Sequence, residues 1–300
     1  NKVVYGDDNR LDLVDVSNTL HKRLAASTAA MVENRQWTKD LSGMCQLRFN
    51  ETLEESMGLC RGERFADQPT GAMCSGFLIG EDTLVTAGHC LLMLGGMGYP
   101  TSDAVCRNFS WVFGYAIHSQ GQDPRQVPAG DVYGCKQVIV AKLTRTEDFA
   151  VIKLDRKVTG RQVLSIRQTG KVTLGTELVV IGHPSGLPSK VADGAQVIGN
   201  NEINTFLTNL DTFQGNSGSA VFDSKTGMVE GILIQGQADY RPAQGSCQVV
   251  NHCGQNGQNC ELPSSPMDPK GEVVTRITQI LPYLKAPARV PPRRPLSRLR

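Results

Sequence analysis

Short β-branched segments separated by Gly-, Pro- and Asn-rich turns are what most limits the folds open to this chain. Residues 75–79 (SGFLI), 138–143 (VIVAKL), 149–154 (FAVIKL), 177–181 (ELVVI), 231–234 (GILI) and 272–277 (EVVTRI) each have the length and composition of a strand. They follow one another without long helical segments between them. Parallel strands would need helical crossovers, so an antiparallel all-β architecture is expected. Helix is expected only in short pieces: residues 50–57, where Thr52 and Glu55 have capping-box spacing, and Leu281-Pro282-Tyr283-Leu284.

Composition narrows the functional classes. At 300 residues, 40% hydrophobic and 20% charged, the chain is neither collagen-like, low-complexity nor disordered. A chain of this length buries roughly 75% of its unfolded surface, so stability does not require cross-links, and the nine cysteines need another reason. No CxxC pair occurs, which removes the usual support for zinc or thioredoxin-like chemistry and points to an oxidising compartment. The net charge of +2, from 31 basic and 29 acidic residues, argues against a dedicated nucleic-acid binder. No apolar run reaches the roughly 18 residues of a membrane span. The chain starts Asn1-Lys2 with neither Met nor an apolar signal region, the pattern of a mature or trimmed form. Residues 286–300 hold five Arg, four Pro and no acid, which leaves residues 1–285 at +2 − 5 = −3. This stretch reads as an extended, flexible basic tail, either solvated or a docking point for an acidic partner.

Three strings carry chemistry when taken together: Thr86-Ala87-Gly88-His89-Cys90, Glu147-Asp148 leading into FAVIKL, and Gly215-Asn216-Ser217-Gly218-Ser219. A Ser hydroxyl is a poor nucleophile near neutrality, so Ser217 needs a base to take its proton during attack on a carbonyl. His89 can supply it and return the proton to the leaving amine. Asp148 would hold the other ring nitrogen, and the backbone N–H groups of Gly215 and Ser217 would face the developing oxyanion. His21, His118, His183 and His252 read as structural or exposed, and Asp155 as a solvated strand exit. An α/β-hydrolase elbow fails because the last position of Gly215-x-Ser217-x-Ser219 is not Gly.

In identity, order and separation these strings resemble the chymotrypsin and trypsin superfamily of serine endopeptidases, and GNSGS is similar to the bacterial branch related to glutamyl endopeptidases. The resemblance covers about residues 3–285. It implies two six-stranded antiparallel β-barrels with the site where they meet. The expected division is an N-terminal arm (1–32), a first barrel with His and Asp (33–160), a second barrel with Ser and the specificity pocket (161–285) and the tail (286–300). Trypsin-like animal enzymes place Asp immediately before the nucleophile to receive a new N-terminal amine. Here the position is Asn216, so that ion pair cannot form and other contacts must hold the oxyanion loop. The pocket walls fall on Asp211, Thr212 and Gln214, on Ile234 and Gly236, and near Glu272. Leu233 stands where glutamyl-specific relatives have His, whereas Asp211 stands where a carboxylate meets substrate Lys or Arg. Cleavage after Lys or Arg is therefore one expectation, with Glu-specific or broad cleavage, or a non-proteolytic binding protein that retains the fold, as alternatives.

The resemblance also implies a Cys74–Cys90 disulfide beside the His turn. Cys45 with Cys60 is expected to pair around the short helix, and Cys106 with Cys135 to close the excursion before the Asp strand. Cys247, Cys253 and Cys260 leave one thiol unassigned. The composite expectation is a secreted or periplasmic, monomeric peptidase acting on protein or peptide substrates, with no metal or cofactor.

Overall fold

The computed structural model of the chain describes residues 3–256, 259–262 and 269–284. Six strands close the first barrel, in spatial order Val132–Leu143, Asp148–Leu154, Thr83–Thr86, Cys74–Gly80, Thr28–Glu33 and Phe109–Phe113, and the last returns to the first through Val112 opposite Val132. The second runs Glu177–Gly182, Ala220–Asp223, Val229–Gln235, Glu272–Arg276, Thr205–Thr208 and Lys190–Gly199, closed by Leu178 opposite Ala195. Every pairing within these barrels is antiparallel, as expected.

Most of the apolar runs are continuous because both faces of their strands are buried; Val132–Leu143 is the exception, with Ile139 and Leu143 each 39% exposed. Along Asp148–Leu154, Phe149 and Val151 enter a core shared by the two barrels, while Ala150, Ile152 and Leu154 fill the first barrel. Glu177–Gly182 divides the same way: Val179 and Ile181 face the shared core, Leu178 and Val180 the second barrel's interior. Alternation at period 2 thus sends one strand into two cores. A one-residue register slip would exchange them, so register is strongly specified. Each such Val, Ile or Phe contributes roughly 1.5–3 kcal/mol on burial.

The arm lies mostly on the second barrel. Arg10–Asp12 pairs with Lys190–Ala192 at its edge, and Val4–Tyr5 pairs in parallel with His252–Cys253. The boundary expected at residue 33 moves, because Thr28–Glu33 is a strand of the first barrel, buried along its whole length. The expected helix forms as Leu53–Met57, with both arms of the Thr52–Glu55 capping box present and Gly58 ending it in the left-handed conformation at φ 61°. Helices Thr19–Ala25 and Ser102–Asn108, capped by Asn18 and Thr101, were not expected. The basic tail lies outside the described residues.

Cys74–Cys90 and Cys106–Cys135 are bonded as expected, but the Cys45–Cys60 pairing is overturned: Cys60 bonds Cys247, Cys253 bonds Cys260, and Cys45 is a free, buried thiol. Local backbone pairing explains the exchange. The Cys60 N–H donates to the Gln248 carbonyl at 2.8 Å and the Gln248 N–H to the Gly58 carbonyl at 2.8 Å, which sets Cys60 against Cys247. Cys45 instead sits on the buried face of Met44–Leu47 among Val32, Leu47, Phe49 and Val127, and burial pushes its thiol pKa up. Four disulfides place the chain in an oxidising, non-cytoplasmic environment. Among the described residues no helix is long and apolar enough to cross a membrane.

Candidate active site

Strand register brings His89 and Asp148 together. Ala150 lies opposite Thr86, so the start of Asp148–Leu154 reaches the turn that follows Thr83–Thr86, where His89 opens a one-turn helix. Asp148 Oδ1 accepts the His89 backbone N–H at 3.0 Å, and Oδ2 lies 2.7 Å from His89 Nδ1. An ionised carboxylate only accepts, so the ring proton sits on Nδ1 and Nε2 is left with its lone pair. The Thr275 hydroxyl donates to the Asp148 carbonyl at 3.1 Å, tying this corner to the second barrel. The side chains are only 23% (His89) and 14% (Asp148) exposed.

The Ser217 loop is packed against that corner. Its carbonyl accepts from the Ser75 N–H at 2.8 Å and lies 3.7 Å from Cys90 Sγ, beside the disulfide that joins the His89 turn to Cys74. Gly215 and Gly218 are left-handed, at φ 90° and 86°. Side chains are excluded there on a second ground: a Cβ at Gly215 would fall 2.5 Å from the His183 carbonyl oxygen, and one at Gly218 2.2 Å from that of Ser75.

The arm takes over part of the expected pocket. Asp211 accepts the N–H of Tyr5 at 2.7 Å and of Asn9 at 2.8 Å, and burial raises its pKa to about 6 against the pull of those two donors. The Thr212 N–H donates to the Val3 carbonyl at 3.2 Å, and the Arg10 guanidinium, bidentate on Asp8, stacks 3.9 Å from the Phe213 ring centroid. Gln214 N–H donates to Asp239 Oδ2 at 2.9 Å. Glu272 is fully buried and receives the Thr212 hydroxyl, the Tyr5 hydroxyl at 3.2 Å and the Gln237 N–H at 3.4 Å. A Cβ on Gly236 would fall 2.0 Å from both of its carboxylate oxygens, so Glu272 sits between the Thr212 and Gly236 walls. Burial, and after it the Glu272 carboxylate, raises the Tyr5 phenol pKa. Ile234 borders a cavity of about 510 Å³ that also touches Asp148, Gln235 and Val273.

Of the residues expected at the site, His89, Asp148, Gly215 and Ser217 therefore converge, as do Thr212, Gly236 and Glu272, whereas Asp211 is engaged by the arm. Sequence reasoning missed Tyr5, Asn9, Ser75, Asp239 and Ser185, whose N–H donates to the Gln214 carbonyl; their contributions are mostly backbone or long-range contacts. Among the described residues, the single grouping with metal-ligand proximity is Cys74, His89 and Cys90, and its two sulfurs are joined in the disulfide, which offers no thiolate. His183 is buried and stacked on Tyr115, its pKa lowered to about 4 by burial, with Nδ1 on the Leu187 carbonyl at 3.0 Å.

The chain belongs to the trypsin-like peptidase domain family, whose match spans residues 74–232. A solved glutamyl endopeptidase in complex with MPD is similar over 94% of this chain and 97% of its own, with a TM-score of 0.51 at 18% identity. The VesB protease of Vibrio cholerae is similar over 93% of this chain and 67% of its own, with a TM-score of 0.51 at 11% identity. At such identities the likeness establishes the fold. No curated protein sequence matches the chain. Family and fold together make it a serine-type peptidase acting on protein substrates.

Proposed function

We propose that the chain is a secreted or periplasmic serine endopeptidase in which Ser217 is the nucleophile, His89 the general base and then acid, and Asp148 the group that orients the imidazole. The observation that carries this reading is the 2.7 Å contact between His89 Nδ1 and Asp148 Oδ2, beside the Ser217 loop and the Cys74–Cys90 bridge. Ser217 Oγ attacks the scissile carbonyl as its proton passes to Nε2, and the imidazolium formed is stabilised by Asp148. The same proton then goes to the leaving amine. Water, activated by His89, releases the acyl group from Ser217. The N–H groups of Gly215 and Ser217 stabilise the oxyanion, each worth roughly 3 kcal/mol in comparable sites.

Preference for Lys or Arg before the scissile bond is the specificity the pocket supports, with Glu272 as the carboxylate that meets the base. Asp211 is engaged by the arm, and two buried carboxylates near the pocket oppose a glutamyl side chain. The test combines a fluorophosphonate probe with a peptide library. The intact chain should be labelled at Ser217 and cleave after Lys and Arg, and Ser217→Ala should do neither. Labelling elsewhere, or equal hydrolysis by Ser217→Ala, would refute the nucleophile; cleavage after Glu would refute the pocket assignment.

A further inference from the structure

We infer that Ser75, a residue of the first barrel, is a positioning residue for the oxyanion loop, performing the task that an ion pair at position 216 cannot perform in this chain. The inference rests on the reading of Ser217 as nucleophile and adds to it what holds the site in its working shape.

The loop must keep two peptide planes oriented. The N–H of Gly215 belongs to the plane carrying the Gln214 carbonyl, and the N–H of Ser217 to the plane carrying the Asn216 carbonyl. In a trans peptide the two dipoles point opposite ways, so fixing a carbonyl aims the N–H of its plane. The Gln214 carbonyl accepts the Ser185 N–H, and the Asn216 carbonyl accepts the Ser219 N–H at 2.9 Å. The intervening Gly215 carbonyl accepts the Ser75 hydroxyl at 2.8 Å, and the Ser217 carbonyl accepts the Ser75 backbone N–H at 2.8 Å. All four successive carbonyls of residues 214–217 are thus held. Ser75 holds the Gly215–Asn216 and Ser217–Gly218 planes, which flank the Asn216–Ser217 donor plane and separate it from the Gln214–Gly215 one, so its bonds set the donor planes through the shared Cα atoms.

The direction of the Ser75 hydroxyl is itself determined. The His183 N–H donates to Ser75 Oγ at 2.9 Å, so the hydroxyl proton is left for the Gly215 carbonyl. Ser75 has no exposed surface, so water cannot replace this donor without rearrangement. Asn216, where trypsin-like animal enzymes carry the ion-paired Asp, accepts the Ser219 hydroxyl at 3.3 Å and is buried. Gly215 lacks side-chain restraint and is left-handed, so a peptide flip there is sterically open to it unless its carbonyl is anchored. Anchoring across the barrel junction makes the oxyanion loop depend on docking of the first barrel.

The test is Ser75→Ala, with Ser75→Thr as the variant that keeps the hydroxyl. If Ser75→Ala does not fold, Ser75→Gly, which also removes the hydroxyl, takes its place under the same criteria. Expected are a 10–100-fold fall in kcat, KM within about threefold of the parent, and recovery of most of kcat in Ser75→Thr, since misplacing a catalytic donor by an ångström costs about this much. A peptidyl boronic acid, whose tetrahedral adduct uses the oxyanion donors, should lose 10–100-fold in affinity, while a non-covalent product peptide changes by less than about threefold. A kcat within twofold of the parent, or equal losses for the two ligands, would overturn the inference. Absence of Ser217 labelling in the unmodified chain would instead overturn the proposed function, so the two failures are distinguishable.

Discussion

Asp211→Asn separates a carboxylate that anchors the arm from one that meets substrate. Burial raises the folded-state pKa of Asp211 from 3.8 to about 6, despite hydrogen bonds from the Asn9 and Tyr5 N–H groups. That difference is about 2 units, or about 3 kcal/mol at 1.36 kcal/mol per unit. Because the folded value is the higher one, the contribution is fully present below pH 3.8 and is lost as pH rises through 6. His183 acts in the opposite sense over the same interval. Its folded pKa is lowered to about 4, so acidification below 6.5 costs stability. The pH profile of the parent alone therefore mixes two opposed effects, and the informative quantity is parent minus variant, in which His183 cancels. Both proteins would be unfolded in urea from pH 4 to 7 in a Ser217→Ala background, which removes autolysis. The difference in unfolding free energy should fall by roughly 2 kcal/mol across that range, because at pH 4 a part of the full contribution of about 3 kcal/mol is already lost. A difference that is flat with pH would refute the desolvation argument. Unaltered stability with a hundredfold loss of Lys and Arg hydrolysis, measured with Ser217 intact, would refute the anchoring role.

Glu272→Gln should lower kcat/KM on Lys and Arg substrates at least tenfold more than Asp211→Asn does, read from matched peptide substrates. Replacing Cys60 and Cys247 by Ala together should cost more than the same change at Cys74 and Cys90, because the sequence separations are 187 and 16. Chain entropy gives about 5 against about 3 kcal/mol, measured by denaturant unfolding of the two double variants. Thr52→Ala removes the hydroxyl that caps Leu53–Met57 and should cost about 1 kcal/mol, seen as a lower urea midpoint with activity retained. The Cys45 thiol, buried and with its pKa raised, should resist alkylation in the native protein and react once it is unfolded, as mass spectrometry would show.

Local chemistry in the sequence determined a good deal. The β-branched runs marked six strands where the barrels have them, and in most of these period-2 burial against two cores leaves no polar face to interrupt the run. Thr52 and Glu55 determined a helix start, because a capping box is satisfied within four residues. The strings around His89, Asp148 and Ser217 carried the candidate site, each needing a particular residue at a particular step. Helices Thr19–Ala25 and Ser102–Asn108 were harder to see, being two turns long with too little periodicity beyond their caps.

What only the tertiary structure decided involves partners far apart in the chain. The partner of Cys60 is set by pairing of residues 58–60 with Gln248, which no local spacing encodes. Asp211 occupies a pocket position in sequence, yet its charge is engaged by amides more than 200 residues away, at Tyr5 and Asn9. Ser75 looks like an ordinary strand residue until the barrels dock and its hydroxyl meets the carbonyl of Gly215. A sequence names the groups that can react. The contacts that hold them are backbone dipoles brought together across the barrel junction, and backbone dipoles have no residue type by which to be recognised.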